Sequence, residues 1–286
     1  MEQEQMYMEQ GESAARQKLE LLRRLIEGMP GAAVAFSGGV DSTFLLDVAA
    51  EVLGEKAIAL TGLSESFPSR EAREAEAFCA EHGIRQIAFA SREMERAEYR
   101  ANPANRCYYC KSTLFREMLR IAAENGIGQV VEGSNADDTG DYRPGMKAAR
   151  ELSVRSPLLE AGLSKEEIRF LSKERGLPTW DKPSYACLSS RFPYGEAITE
   201  EKLAMVERAE DVLIGLGFRW VRVRIHGTMA RIEAPPDNFR QILEHREEIT
   251  SGLRSIGFTY VTMDLQGYRS GSMNEMLTRT QQRRNR

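Results

Sequence analysis

Residues Ala35–Thr43 read AFSGGVDST, set between the apolar run AAVAF at 32–36 and the amphipathic run FLLDVAAEVL at 44–53. Gly38 and Gly39 carry no Cβ, so their amides can approach an anion closely and take φ values closed to other residues. Helix amides beginning near Asp41 add a partial positive charge, and Ser37, Ser42 and Thr43 add hydroxyl donors, which together make a compact anion cradle. No lysine follows until Lys56, so the stretch is not a Walker loop. The plain alternative is a strand-to-helix turn with a Ser or Asp cap.

Working outward, strand-like runs occur at AAVAFS, AIALTG, RQIAFA and GQVVEGS. Helical stretches separate them: STFLLDVAAEVLG, SREAREAEAFCAEHG and KSTLFREMLRIAAENG. A further helix is expected over residues 13–29, and another entered from GLS at 162–164 and left at Gly176. The alternation argues for βαβ units, an α/β fold on a parallel sheet with helices on both faces. Ligands in such folds gather at the carboxyl ends of the strands, where residues 37–42 fall. Beyond about residue 194 the order becomes helix, strand, strand, helix, strand, a small α+β domain. The expected division is therefore 1–193 with an N-terminal helix, 194–275, and a polar tail at 276–286.

The 286 residues carry 39 Lys+Arg against 43 Asp+Glu, a net charge of −4, which is not the footprint of a nucleic-acid-binding chain. No apolar run approaches the roughly 20 residues of a membrane span. The acidic start MEQEQMYMEQGES lacks the apolar core of a signal peptide, so a cytoplasmic location is expected, with no membrane and no nucleic acid among the partners. In that compartment the four cysteines are not expected to form disulfides, and unusual spacing among them points to metal or redox chemistry.

Cys107 and Cys110 stand in NRCYYCK at CxxC spacing, read as a loop entering a helix. Such a pair serves as metal ligands, as a redox dithiol, or as neither. Zinc wants two further ligands, and His82, His226 and His245 are not read as supplying them to this pair. Cys187, in KPSYACLSSRFPYG, is a third thiol; three cysteines can hold an iron–sulfur cluster with one iron left free. Cys79 lies at an apolar helix position and reads as core.

The string SGGVDS after a buried strand resembles the PP-loop of the N-type ATP pyrophosphatases, which split ATP into AMP and pyrophosphate. Taken with NRCYYCK, GSNADDTGDYRPGMKAA at 133–149, KPSYACLSSRFPYG at 182–195 and VRVRIHG at 221–227, the chain resembles the LarE family over roughly residues 15–275. Those proteins are ATP-dependent sulfur transferases of nickel-pincer nucleotide cofactor biosynthesis. The resemblance implies that ATP adenylylates a carboxylate of pyridinium-3,5-biscarboxylic acid mononucleotide and that sulfur then replaces the activated oxygen. It also implies a Rossmann-like PP-loop domain and a homo-oligomer.

Carried over residue by residue, the resemblance gives Ser37, Gly38, Gly39, Val40, Asp41 and Ser42 to the pyrophosphate, with Asp41 also catalytic. It places the TGLSES segment, Thr61 to Ser66, at the adenosine. Asn135, Asp137 and Asp138 are candidates for magnesium or for orienting substrate, with a capped turn as the alternative. Arg143 and Arg191 are loop cations suited to phosphate. Arg222 and Arg224 alternate onto one strand face; they match the family's substrate-phosphate arginines, and the alternative is a solvated face. Glu210 and Glu233 fall near acidic positions of the family's second domain. Cys187 matches the cysteine that sacrificial members consume as sulfur donor, leaving dehydroalanine. Members with the CxxC pair bind a 4Fe-4S cluster through three cysteines, and Cys107, Cys110 and Cys187 fit that version, fed by a sulfide source. Three rival readings stay open: a PP-loop tRNA thiolase, which needs a surface for the tRNA backbone; a cluster sensor using the nucleotide pocket as a switch; and an ammonia-using amide synthetase, which leaves the cysteines without a task.

Overall fold

The computed structural model describes residues 2–140, 144–183, 187–269 and 277, with side chains from residue 11 onward. Two compact units emerge. The first comprises Met1–Ser64, Ser69–Glu93 and Cys107–Ser184; the second comprises Glu65–Pro68, Met94–Arg106 and Tyr185–Arg286. The second unit thus takes in residues 65–68, 94–106 and 185–193, all of which precede residue 194 in the chain.

In chain order the elements of the first unit are α1 (Glu2–Glu27), β1 (Ala32–Ala35), α2 (Val40–Leu53), β2 (Ala57–Leu63), α3 (Ser69–Glu81) and β3 (Gln86–Ala90). The short α4 (Ala97–Arg100) belongs to the second unit, after which come α5 (Arg106–Glu124), β4 (Gln129–Val131), α6 (Pro144–Glu151), α7 (Pro157–Glu160) and α8 (Lys165–Glu174). The expected first helix begins well before residue 13, and Cys107 and Cys110 lie within the first five residues of α5 rather than in a loop before it.

The four strands are all parallel in the order β3-β2-β1-β4, with Ala32 opposite both Ala57 and Gln129. The α/β reading holds. Alternation along β1 sends Ala32 and Val34 to one face and Ala33 to the other. The first face packs Leu22, Ile26, Phe44, Phe78, Leu158 and Leu171 from α1, α2, α3, α7 and α8. The second packs Phe115, Met118, Ile121 and Ala148 from α5 and α6 against Ile58, Leu60 and Val130. The chain runs outward from β1 through β2 to β3 and returns on the other side of β1 as β4. This reversal puts a crevice between the carboxyl ends of β1 and β4, the place where ligands bind in open α/β sheets. Among the described residues no helix is long and apolar enough to cross a membrane.

The second unit contains α9 (Glu200–Gly215), β5 (Arg222–His226), β6 (Met229–Glu233), α10 (Phe239–Glu244), α11 (Arg246–Ile256) and β7 (Tyr260–Met263). Its sheet order is β5-β6-β7, the first pair antiparallel and the second parallel. Thr199 caps α9 by accepting from the Lys202 amide. Leu203, Val206, Leu213, Val223, Ile225, Ile232, Ile249 and Leu253 supply a buried core. The single helix expected between the second and third strands of this domain is broken at His245, whose ψ of 13° leaves the helical range and separates α10 from α11. The earlier stretches are tied in by backbone bonds: Leu188 N donates to Ser66 O at 2.9 Å, Gly195 N to Asn102 O at 2.9 Å and Ile198 N to Arg100 O at 2.9 Å.

Candidate active site

Within the first unit, the loop between β1 and α2 is built as an anion cradle. Gly38 sits at φ +68°, a left-handed conformation that costs a residue with a Cβ roughly 1–2 kcal/mol. Gly39 is the N-cap of α2 and makes no side-chain cap hydrogen bond, so the leading amides of a 14-residue helix have no side chain closing them off. The hydroxyls of Ser37 and Ser42 lie 3.1 Å apart, and Ser42 Oγ donates to Gly39 O at 3.2 Å, which locks the turn. From the end of β4, Gly133 closes in: a Cβ there would stand 3.2 Å from the Ser42 amide. Glycine therefore lines the crevice at the switch point from both sides.

Asp41 is the first acidic residue of α2. Its Oδ2 accepts from Lys165 Nζ at 2.6 Å and the Asn135 side chain also acts on the carboxylate, while Oδ1 is enclosed without a close hydrogen-bond partner among the described residues. Burial pushes this carboxyl above its ordinary value, against the pull of Lys165. The 135–138 turn behaves largely as a capped turn: Asn135 Oδ1 accepts from the Asp137 amide at 3.0 Å, and Asp138 Oδ2 from the Asn135 amide at 3.1 Å. Asp137 Oδ2 accepts from the Lys165 amide at 2.8 Å, so it also serves the start of α8. Thr61 is buried on β2, donating to Phe36 O at 3.1 Å and accepting from Gln86 Nε2 at 2.8 Å. Its side chain ties strands together. Ser66 is buried in the second unit, and Arg143 lies outside the described residues.

Two further ion-pair sets lie in the first unit. Lys111, one residue after Cys110, donates to the buried Glu132 at 2.9 Å. Glu132 also accepts from Ser134 N at 3.2 Å and Ser156 Oγ at 2.6 Å. Burial alone would raise its pKa, but Lys111 and the serines bring it down to about 2. Lys182 donates to Gly38 O at 3.0 Å and pairs with Glu71 at 2.8 Å and Glu74 at 2.6 Å. Of the CxxC pair, Cys107 is exposed and Cys110 half-buried. Sequence reading missed Lys111, Glu132, Lys165 and Lys182. Each meets its partner across 21 to 144 residues, a separation for which local spacing carries no signal.

In the second unit a set of buried arginines and glutamates lies along β5 and β6. Arg191 is fully enclosed and forms a two-pronged pair with Glu210, Nε to Oε1 at 2.8 Å and Nη2 to Oε2 at 2.9 Å. Glu210 Oε1 also accepts from the Val223 amide at 3.0 Å. Arg224 donates to Glu233 Oε1 at 2.5 Å and to Ser190 O at 2.6 Å. Arg231 reaches the same Oε1 at 3.0 Å, while among the described residues Glu233 Oε2 is enclosed without a hydrogen-bond partner. Arg222 stacks over the Tyr268 ring, 4.6 Å from its centroid. Burial, then Arg191 and Arg224, work against the Arg222 charge and pull its pKa below the ordinary arginine value. The solvated-face alternative for Arg222 and Arg224 fails, since both are buried. Cys187 is half-buried, its Sγ 3.9 Å from Tyr99 Oη, which itself lies 2.6 Å from Ser189 Oγ.

The thiols suit an iron–sulfur cluster in number and type, Cys107 and Cys110 belonging to the first unit and Cys187 to the second. Among the described residues, no three His, Cys, Asp or Glu side chains come together as a metal site.

No family model matches the chain. It is 47% identical over 264 residues to an uncharacterized protein of Synechocystis sp., covering 92% of this chain and 98% of that one. It is 40% identical over 249 residues to the pyridinium-3,5-bisthiocarboxylic acid mononucleotide synthase of Lactiplantibacillus plantarum, covering 87% of this chain and 90% of the synthase. An uncharacterized protein of Methanocaldococcus jannaschii is 31% identical over 169 residues, 59% of this chain and 66% of that protein.

Proposed function

The chain belongs to the LarE family, that of the pyridinium-3,5-bisthiocarboxylic acid mononucleotide synthases, and from that membership we propose that it is a sulfur transferase making this thiocarboxylate at the expense of ATP. The observation that carries the reading is the lysine-free glycine cradle at the uncapped start of α2, in a chain 40% identical to the synthase. A carboxylate oxygen of pyridinium-3,5-biscarboxylic acid mononucleotide attacks the α-phosphorus of ATP. The α–β bridging bond breaks and pyrophosphate leaves, held by the amides of residues 39–42 and the hydroxyls of Ser37 and Ser42. Sulfur then adds to the acyl carbon and AMP departs with the former carboxylate oxygen. Activation is needed because a carboxylate is a poor acyl donor and AMP a good leaving group.

Asp41 suits magnesium in its chemistry, since its Oδ1 is an enclosed acceptor without a close hydrogen-bond partner among the described residues, and Asn135 and Asp138 act on the same carboxylate. Arg222 and Arg224 hold the mononucleotide phosphate. The opposition that Arg222 meets from burial and from neighbouring arginines favours a bound anion. Arg191 acts through its pair with Glu210 rather than as a free loop cation. For sulfur we favour a 4Fe-4S cluster on Cys107, Cys110 and Cys187. Such a cluster, with three thiolates, has an open iron able to carry the transferred sulfur when bound. The chain acts as a cytoplasmic homo-oligomer. Pyrophosphate release that depends on the biscarboxylate mononucleotide, with AMP as co-product, tests the first step; ADP and orthophosphate refute it. Anaerobic purification with iron and sulfide analysis tests the second, and a chain binding neither refutes the cluster.

A further inference from the structure

The phosphate cradle works only if its amides face the anion and its carbonyls do not. The carbonyl of Gly38 and the amide of Gly39 belong to one planar trans peptide and point in opposite directions, so whatever holds the first aims the second. Gly38 is also the loop residue in the left-handed region, at φ +68°, where the backbone has least intrinsic reason to stay.

The group that holds the Gly38 carbonyl is the Lys182 ammonium, at 3.0 Å. Its other near partners are Glu71 at 2.8 Å and Glu74 at 2.6 Å, both on α3, so its three donors meet three acceptors. The lysine side chain is mostly shielded and Glu71 is buried, which favours one arrangement over many. The same helix closes on Gly38 from its Cα side: a Cβ there would stand 3.3 Å from Ala75 Cβ. Local sequence cannot supply this anchor, because Lys182 lies 144 residues from the loop.

We infer that Lys182 is a positioning residue for ATP cleavage: by fixing the Gly38 carbonyl against α3 it turns the Gly39 amide, and the helix amides after it, toward the pyrophosphate. This inference rests on the proposed adenylylation. It assigns no contact with substrate to Lys182.

The alternative is that Lys182 merely neutralises Glu71, and three variants separate the two. Lys182→Met should weaken binding of α,β-methylene-ATP, measured by calorimetry, on the order of tenfold to a hundredfold, the range for one charge-assisted hydrogen bond. It should lower kcat/KM for ATP similarly and leave KM for the mononucleotide unchanged. Lys182→Arg, which keeps the charge and the donors, should recover most of the loss. The double variant Lys182→Met with Glu71→Gln removes the stranded carboxylate; it should regain thermal stability without regaining affinity for the analogue, and it carries the test if the single variant does not fold. Wild-type affinity in the single variant, or affinity restored in the double variant, overturns the inference. Analogue binding needs no turnover. A wild-type chain that binds the analogue yet releases no pyrophosphate refutes the adenylylation reading alone, whereas failure of the Lys182 assignment shows only in the variants.

Discussion

Replacing Arg191 by Met separates a structural arginine from a substrate ligand. In the folded chain Arg191 is fully enclosed, and loss of its two hydrogen bonds to Glu210, at 2.8 and 2.9 Å, leaves that carboxylate the Val223 amide and the Coulombic attraction of Arg222. Methionine fills much of the volume but carries no charge, so a buried carboxylate is stranded. Breaking a buried pair in this way costs about 3–5 kcal/mol. At about 2–4 °C per kcal/mol for large domains, Tm should fall by roughly 6–20 °C, read by differential scanning calorimetry. Substituting Glu210→Met as well should restore most of the loss, because the stranded charge goes with it, and the double-mutant cycle isolates the pair. The reasoning is refuted if Arg191→Met melts within about 2 °C of the parent, less than 1 kcal/mol on the same scale, yet loses affinity for the mononucleotide. That outcome would return Arg191 to the role of a phosphate ligand.

Glu132 has a folded pKa of about 2 against an ordinary 4.5, so its contribution is complete above pH 4.5 and disappears as pH falls toward 2; this is about 3 kcal/mol, and the stability gap between parent and Glu132→Gln in urea melts should close over that window. Asp41 shows the opposite sign: burial raises its pKa, its charge disfavours the fold at neutral pH, and Asp41→Asn should melt no lower than the parent while pyrophosphate release drops about tenfold or more. Gly38→Ala places a Cβ at φ +68° and 3.3 Å from Ala75 Cβ; a loss of about 1–2 kcal/mol is expected, with weaker ATP binding, and parent-like binding would count against the cradle. For the sulfur source, Cys110→Ala should abolish iron binding and thiocarboxylate formation together while sparing adenylylation. Intact-protein mass after reaction of the parent should be unchanged, whereas loss of the mass of hydrogen sulfide would identify Cys187 as a sacrificial donor instead.

Much of this molecule is written locally. The run from Ala32 to Leu53 specifies strand, glycine turn and helix because the apolar pattern, the missing Cβ atoms and the helix start all lie within a few residues of one another. The parallel α/β order follows from repeats of the same kind, and the VRVRIH alternation gives β5 its period. Tertiary structure decided what those patterns face. From their strand alternation alone Arg222 and Arg224 can be read as a wet edge, until Glu210, Glu233 and Tyr268 surround them. The 65–68 and 94–106 stretches join the second unit through backbone bonds such as Gly195 to Asn102 and side-chain bonds such as Tyr99 to Ser189, which no periodicity announces. Lys111, Lys165 and Lys182 look like ordinary surface lysines in sequence, since a lysine's local environment does not reveal its counter-charge. Coulombic pairing depends on distance in space, and only the folded chain brings Glu132, Asp41 and Glu71 to them.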